Sequence, residues 1–329
     1  SPADGRPLSL HGNFLVSGKG NKFFFDGNLI NFLNEKVNKN KETEKAASFR
    51  WEHSKRLQED KGFIKHQLKD FLNRYGFKNE KSFVSYLRNV KTIAEIGAGE
   101  GRMVDWFLKY SKAIIFALEL SDSVFYLKEK YKGNNRVIVL KADALYHPFA
   151  DQSIDFLSCE QCIHHTDQPG KIFYSLCKAL SPGGKVIISI YAKKSPVREK
   201  MDAIIRDGIA GLPSEKKYEI SKKITEISRI LSEIDVTVKI PPDFLDFGNL
   251  RGQKMHLQRF FYYAVFKCFW NKDFTFEKST EFNHDWYSYP VCNKVTLKEV
   301  AKWFSDNGIR IENREENFSN VNLRGKITK

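Results

Sequence analysis

Three glycines, at positions 97, 99 and 101, follow the apolar run TIAEI in the stretch KTIAEIGAGEGRMVDWFL, residues 91–108. Glycines on alternate positions between a strand and a helix let the backbone turn tightly and lie against a ligand. The helix that starts there offers unpaired N–H groups and the positive end of its dipole. Twenty-two positions after Gly97, at the end of the next apolar run, stands Glu119, followed by Leu120. A carboxylate in that place can accept from both hydroxyls of a ribose. A third run ends at Asp143, followed by Ala144, where a carboxylate can accept from the exocyclic amine of a base. The three ends together predict a nucleoside site at the carboxyl edge of a parallel sheet.

A fourth run, IDFLSCE, leads through Glu160 and Gln161 to the pair His164 and His165. Both histidines are candidates for a general base. The string CEQCIHH also offers Cys159, Cys162 and a histidine as metal ligands. Cys159 falls inside the run, however, and neighbours on a strand point to opposite faces. Two buried thiols and no metal are the expectation.

The elements that must hold these residues follow from periodicity. TIAEIG, AIIFALEL, VIVLKAD, IDFLSCE and KVIISIYA read as buried strands, with helical patterns between them over residues 91–194. That alternation predicts an α/β, doubly wound sheet. Ser121 is the expected N-cap of the helix SDSVFYLKEKY, and Thr296 that of TLKEVAKWFSDNG, with Gly308 just past its end. Residues 1–33 read as short strands and turns, 34–47 as a polar linker, and 48–88 as helical. IRIENREE and NVNLRGKIT make a final hairpin.

One residue, Glu100, separates the second and third glycines, which disfavours the dinucleotide fingerprint and its two-residue spacing. The stretch instead resembles motif I, E/D-x-G-x-G-x-G, of the class I S-adenosylmethionine-dependent methyltransferases. Residues 141–194, with PF…D, HHT and L-x-PGG, are similar to the small-molecule type of that family. The resemblance implies a Rossmann-like sheet that binds S-adenosylmethionine and releases S-adenosylhomocysteine. It implies that Gly97, Ala98, Gly99 and Gly101 lie along the amino-acid part, with Glu95 orienting the loop. Glu119 and Leu120 would then sit at the ribose, Asp143 and Ala144 at the adenine, and Glu160 and Gln161 at the sulfonium.

Two further segments carry resemblances. Residues 1–33 are similar to a zinc-ribbon-like leader whose four thiolates would fall at Ser1, Asp4, Ser17 and Gly20, so a zinc-free module is expected. FNHDWYSYP, 282–290, resembles a DWY-S/A-P segment of the same branch, which makes His284 a further base candidate and Asp285, Trp286 and Tyr287 candidates for the substrate wall. Phe49, Arg50 and Trp51 are placed to close the site from the other side, or all these aromatics form an ordinary core. The aromatic run RFFYYAVFKCFW reads as core or as a dimer face, which leaves a homodimer open. The implied division is a leader over 1–40, a helical segment over 41–90, a catalytic core from 91–194 and 294–329, and a lid over 195–293.

Composition bounds the rest. The 329 residues carry 54 Lys and Arg against 40 Asp and Glu, a net charge of +14. The lysines are scattered among acids, as on solvated helix faces, so charge alone does not select a nucleic-acid partner. No apolar run is long enough to span a bilayer, no signal peptide is expected, and five cysteines suit reduced thiols in a cytoplasmic setting. The expected activity is methyl transfer to a small biosynthetic intermediate such as a sugar. Its rivals are a tRNA-modifying methyltransferase and a non-catalytic binding subunit of the same fold.

Overall fold

The computed structural model describes residues 6–33, 41–54, 61–243 and 250–328. Its centre is a run of parallel strands, β5 (Thr92–Ile96), β6 (Ile114–Glu119), β7 (Val137–Lys141), β8 (Ile154–Glu160) and β9 (Leu180–Tyr191), after four leader strands, β1 (Leu8–His11), β2 (Phe14–Ser17), β3 (Lys22–Asp26) and β4 (Leu29–Asn31). The chain ends in the antiparallel hairpin β12 (Ile309–Glu316) and β13 (Asn320–Ile327). Among the described residues the sheet order is β1-β2-β3-β4-β7-β6-β5-β8-β9-β13-β12. The order reverses between β5 and β8, and at such a switch point a crevice opens beyond the carboxyl ends of the strands. β5 and β8 are buried almost throughout, as strands covered on both faces must be.

Helices α1 (Lys41–Ser54), α2 (Lys61–Arg74) and α3 (Glu80–Leu87) precede the sheet centre, and α4 (Arg102–Tyr110), α5 (Ser123–Lys130) and α6 (Pro169–Lys178) connect its strands. One face of the sheet packs Phe71, Phe83, Phe107 and Phe156 into a cluster; the other packs Phe173, Val300 and Phe304. The residues between β9 and the last helix form α7 (Pro196–Ile209), α8 (Ser214–Glu233), the small pair β10 (Thr237–Lys239) and β11 (Lys254–His256), α9 (Leu257–Phe260) and α10 (Phe276–Ser288). The lysine-rich face of α8 is solvated and laced with pairs such as Lys222–Glu219 and Arg229–Glu226. The last helix, α11 (Leu297–Asp306), begins with a full capping box between Thr296 and Glu299.

Two expectations are corrected. The 34–47 linker gives way to α1 from Lys41 onward, because Ala46 and Ala47 bury one face while Glu42 and Glu44 favour the positive end of its dipole. Ser121 does not cap α5: Asp122 holds that position, and the Ser121 N–H is drawn to Glu119 at 2.8 Å. The leader extends the main sheet through parallel pairing of Leu29 with Val139 and Ile30 with Leu140. Of the four thiolate positions in the leader, Ser1 and Asp4 lie outside the described residues. The Ser17 hydroxyl accepts from the N–H of Lys19 and of Asn21, closing the turn that contains Gly20.

Candidate functional site

Two clefts open over the carboxyl ends of β5, β6, β7 and β8. The first has a cavity volume of about 100 Å³ and is walled by Ile96, Gly97, Leu118, Glu119, Leu120, Ala142, Asp143 and Ala144. Its roof is α1, through Thr43, Ala47, Arg50 and Trp51. The second, about 620 Å³, shares Gly97 and Gln161 with the first and adds Glu95, Ala98, Gly99, Glu100, Arg102 and Glu160. Gly101 lies on neither wall; its left-handed backbone (φ +83°) starts α4 against the Tyr131 hydroxyl.

The glycine turn is held by backbone N–H groups donating to β6 and its terminal carboxylate. The N–H groups of Gly97 and Ala98 both donate to the Leu118 carbonyl, at 2.8 and 3.0 Å. Gly99 N–H donates to one Glu119 oxygen at 2.9 Å, and the Ser121 N–H donates to the other. Each carboxylate oxygen keeps a second lone pair for a ligand hydroxyl. Gly97 and Gly99 take φ of +72° and +54°, and a Cβ on Gly99 would stand 2.5 Å from the Trp51 ring. Asp143 Oδ1 accepts from the Leu145 N–H and holds the turn after β7.

Carboxylates behave differently along this edge. Glu95 is pushed well above its usual range by burial, with the charges of Glu160 and Glu119 adding to the effect. Glu160 is locked by Arg74 at 2.6 Å and by the Tyr75 hydroxyl. Gln161, next in the chain, is one of two non-glycine residues with positive φ among those described, at +55°. A strained residue at the end of a central strand, with its side chain between two clefts, fits a site that demands one geometry.

The two histidines separate. His164 is fully buried, stacked on Tyr191 at 3.7 Å, and lines neither cleft. Burial and the nearby charges of His165, Arg50 and Lys267 push its pKa well below the usual value, so the ring is neutral. His165 lines the first cleft, stacked on Tyr289 at 3.7 Å, and its Nδ1 lies 3.1 Å from the Val291 carbonyl. That partner assigns the proton to Nδ1 and leaves Nε2 as an acceptor. Burial lowers the His165 pKa to about 4, against the pull of Asp285 and the Val291 carbonyl. Because the folded pKa lies below the unfolded 6.5, this site contributes stability above 6.5 that disappears as pH falls toward 4. The loss is on the order of 3 kcal/mol. His165→Asn, which keeps a donor for Val291, should flatten that part of a melting-temperature profile; an unchanged slope would refute the assignment.

The DWY segment lies within α10 and faces two ways. Asp285 lines the second cleft, accepts from Tyr191 at 3.0 Å and pairs with Arg50 at 2.8 Å, tying α10 to α1 across the site. Burial alone would raise its pKa, but Arg50, His165 and Lys267 hold it below the usual range. Trp286 and Tyr287, expected on the substrate wall, turn inward: Trp286 Nε1 and the Tyr287 hydroxyl both donate to Asp202. His284 and Phe49 likewise line neither cleft, their rings packing on each other at 5.3 Å and against Tyr218. Trp51 alone of the expected aromatics borders both clefts. Arg74 and Asp202 were not singled out in the sequence; the spacing of Arg198 and Asp202 on one helix was the available signal for the second.

Residues 94–188 match the family described as a methyltransferase domain. A curated relative, phosphoethanolamine N-methyltransferase 2 of Caenorhabditis elegans, is 27% identical over 130 residues. That alignment covers 38% of this chain and 30% of the relative, so the chain matches less than a third of that protein's length. Among solved structures, a Mesorhizobium loti S-adenosylmethionine-dependent methyltransferase overlays with a TM-score of 0.46 at 12% identity, covering 76% of this chain and 96% of its own. The Burkholderia thailandensis 1,6-didemethyltoxoflavin-N1-methyltransferase, with bound S-adenosylhomocysteine, gives 0.43 at 11% identity, covering 98% and 100%. These scores lie below one half, and the class of fold rests on strand order and the domain match. Residues 94–188 are therefore similar to a methyltransferase domain, and the strand order is that of a Rossmann-like sheet.

Proposed function

We propose that the protein transfers a methyl group from S-adenosylmethionine to a small-molecule acceptor in a biosynthetic reaction. The observation that carries this is the first cleft, where Glu119, Asp143 and the glycine turn meet under a roof formed by α1. The residues fit the cofactor: Glu119 holds two lone pairs toward a diol, Glu95 Oε2 is buried without a partner, and Gly97 leaves backbone where a Cβ would collide. When bound, the cofactor supplies an electrophilic methyl on a positively charged sulfur.

The chain's own task is alignment and exclusion of water. Glu119 and Asp143 fix the nucleoside, Glu95 supports the turn beneath the amino-acid part, and Gln161 with Leu120 and Ala144 shapes the wall. Trp51 and the Arg50–Asp285 pair shut the outer side. His165 Nε2 is the acceptor available on the first cleft for a proton or a substrate hydrogen bond. The enclosed roof supports a small acceptor over a nucleic acid, and among the described residues no helix is long and apolar enough to cross a membrane.

Calorimetric titration with S-adenosylhomocysteine tests the reading. A single binding event per chain and a higher melting temperature are expected; no heat and no shift would remove the assignment. A companion titration with tRNA should give no tight, steeply salt-dependent binding, which is what a nucleic-acid acceptor would show.

A further inference from the structure

α8 distributes its side chains against the usual pattern of a helix packed on a single chain. The face it buries is mostly polar: Ser221, Thr225 and Ser228 lie there, with Ile224 the one isoleucine among them. Their hydroxyls are taken up within the lid. Thr225 Oγ1 accepts from Asn283 at 2.9 Å and from Thr280 at 3.1 Å, and the Ser228 hydroxyl donates to the Cys268 carbonyl at 2.6 Å.

The outward face carries isoleucines instead. Ile227 is 46% exposed, Ile230 47%, and Ile234, directly after the last turn, 42%. Fourteen large apolar residues are exposed among those described, and only these three follow one another along one helix at spacings of three and four. That spacing sets them on a single stripe, the seam pattern of paired helices. A helix with one apolar stripe turns it toward its packing partner, and in α8 the stripe faces away from the chain's own core.

Charge selects what covers it. Residues 214–223 hold four lysines against two glutamates, while 224–235 hold Arg229 against Glu226, Glu233 and Asp235. One half of α8 is thus positive and the other negative. Lys223, four positions before Ile227 and on the same stripe, is exposed and forms no ion pair among the described residues. A second α8 laid antiparallel sets each positive half against a negative one. Ile227 then meets Ile230 of the second copy, and Lys223 meets Ile234 of the second copy, between its Glu233 and Asp235. A parallel pair would stack Lys223 on its own copy inside the seam, where a single charged position decides register and orientation.

We propose that the isoleucine stripe of α8 is a homodimer interface, at which two copies of the chain pack α8 on α8 in antiparallel register. The contact is isologous, since each copy offers the same patch and receives the same patch. It reaches the candidate site through α10, whose Thr280 and Asn283 bind the inner face of α8 and whose Asp285 lines the second cleft. The aromatic run RFFYYAVFKCFW, whose composition also suited a dimer face, supplies the lid's own core, with Tyr262, Ala264 and Cys268 buried. The interface is independent of the methyl-transfer reading.

Sedimentation equilibrium of the full chain over a concentration series tests it. The mass of two chains is expected, falling toward that of one on dilution and, because the Lys223 contacts are screened, with added salt. Ile230→Glu should weaken the dimer at least tenfold while the far-ultraviolet circular dichroism stays that of the parent. Lys223→Glu should weaken it about tenfold, and adding Glu233→Lys to the same chain should recover most of that loss, which a misfolded variant would not do. A single-chain mass throughout the series overturns the proposal, whatever else then covers the stripe. So does a dimer that Ile230→Glu leaves intact, because it would use another surface. Failure of the charge exchange to recover any of the Lys223→Glu loss overturns the antiparallel pairing and the proposal with it.

Discussion

Asp202→Ala is expected to destabilise the protein by about 3–5 kcal/mol, the range for removing one partner of a buried ion pair. Asp202 is fully buried in α7 and accepts four donors: Arg198 Nε at 2.7 Å, the Lys267 N–H at 2.9 Å, Trp286 Nε1 at 2.9 Å and the Tyr287 hydroxyl at 2.8 Å. The alanine leaves Arg198, 2% exposed, without its carboxylate and strands Trp286 Nε1 of α10, while the Tyr287 hydroxyl keeps the Lys267 carbonyl at 3.1 Å. Because α10 also carries Asp285, the Arg50 tie across the cleft should weaken with it. Denaturant unfolding of the full chain gives the stability, and proteolysis within 195–293 reports on the lid. A loss under about 1 kcal/mol would show that the four bonds do not organise the lid. Asp202→Asn, which keeps an acceptor, should fall between the two proteins.

Gly97→Ala is expected to lower S-adenosylhomocysteine affinity by about 100-fold, which corresponds to roughly 3 kcal/mol. Two costs add up to that figure. An alanine at φ +72° adopts a left-handed conformation that costs about 1–2 kcal/mol. Its methyl group would also stand 2.4 Å from the Cys162 Cβ, close to that residue's backbone, and relieving such overpacking typically costs about 1–3 kcal/mol. If the turn yields by pulling the N–H groups of Gly97 and Ala98 from the Leu118 carbonyl, the wall shared by both clefts moves with it. Calorimetry on folded variant protein is the check; affinity within a few-fold of the parent would mean that the turn is not the binding wall.

The parts of the site legible in the sequence share one property: their partners are local. The strand-turn-helix at Gly97, the acids closing β6 and β7, and the Thr296 cap each depend on residues a few positions away or on a regular strand period. Periodicity shows that a residue is buried but not what it meets. The aromatic segment 284–287 illustrates the limit. Its residue types suit a substrate wall, yet Trp286 and Tyr287 follow Asp202, more than eighty positions upstream, and only Asp285 turns to the cleft. Glu160 likewise reads as a group facing the reaction, while Arg74 at the end of α2 and Tyr75 just after it hold it.

By itself the sequence determined a doubly wound sheet, its glycine turn and the acids at its strand ends, because chain connectivity and side-chain alternation bring these together in any fold that buries the apolar runs. Only the tertiary structure decided that α1 roofs the first cleft and that α10 contributes Asp285 to the second. It also decided that one histidine of the pair lines the first cleft while the other is sealed beneath Tyr191. Those outcomes depend on buried charges finding partners far away in the chain, and spacing carries no record of such pairings.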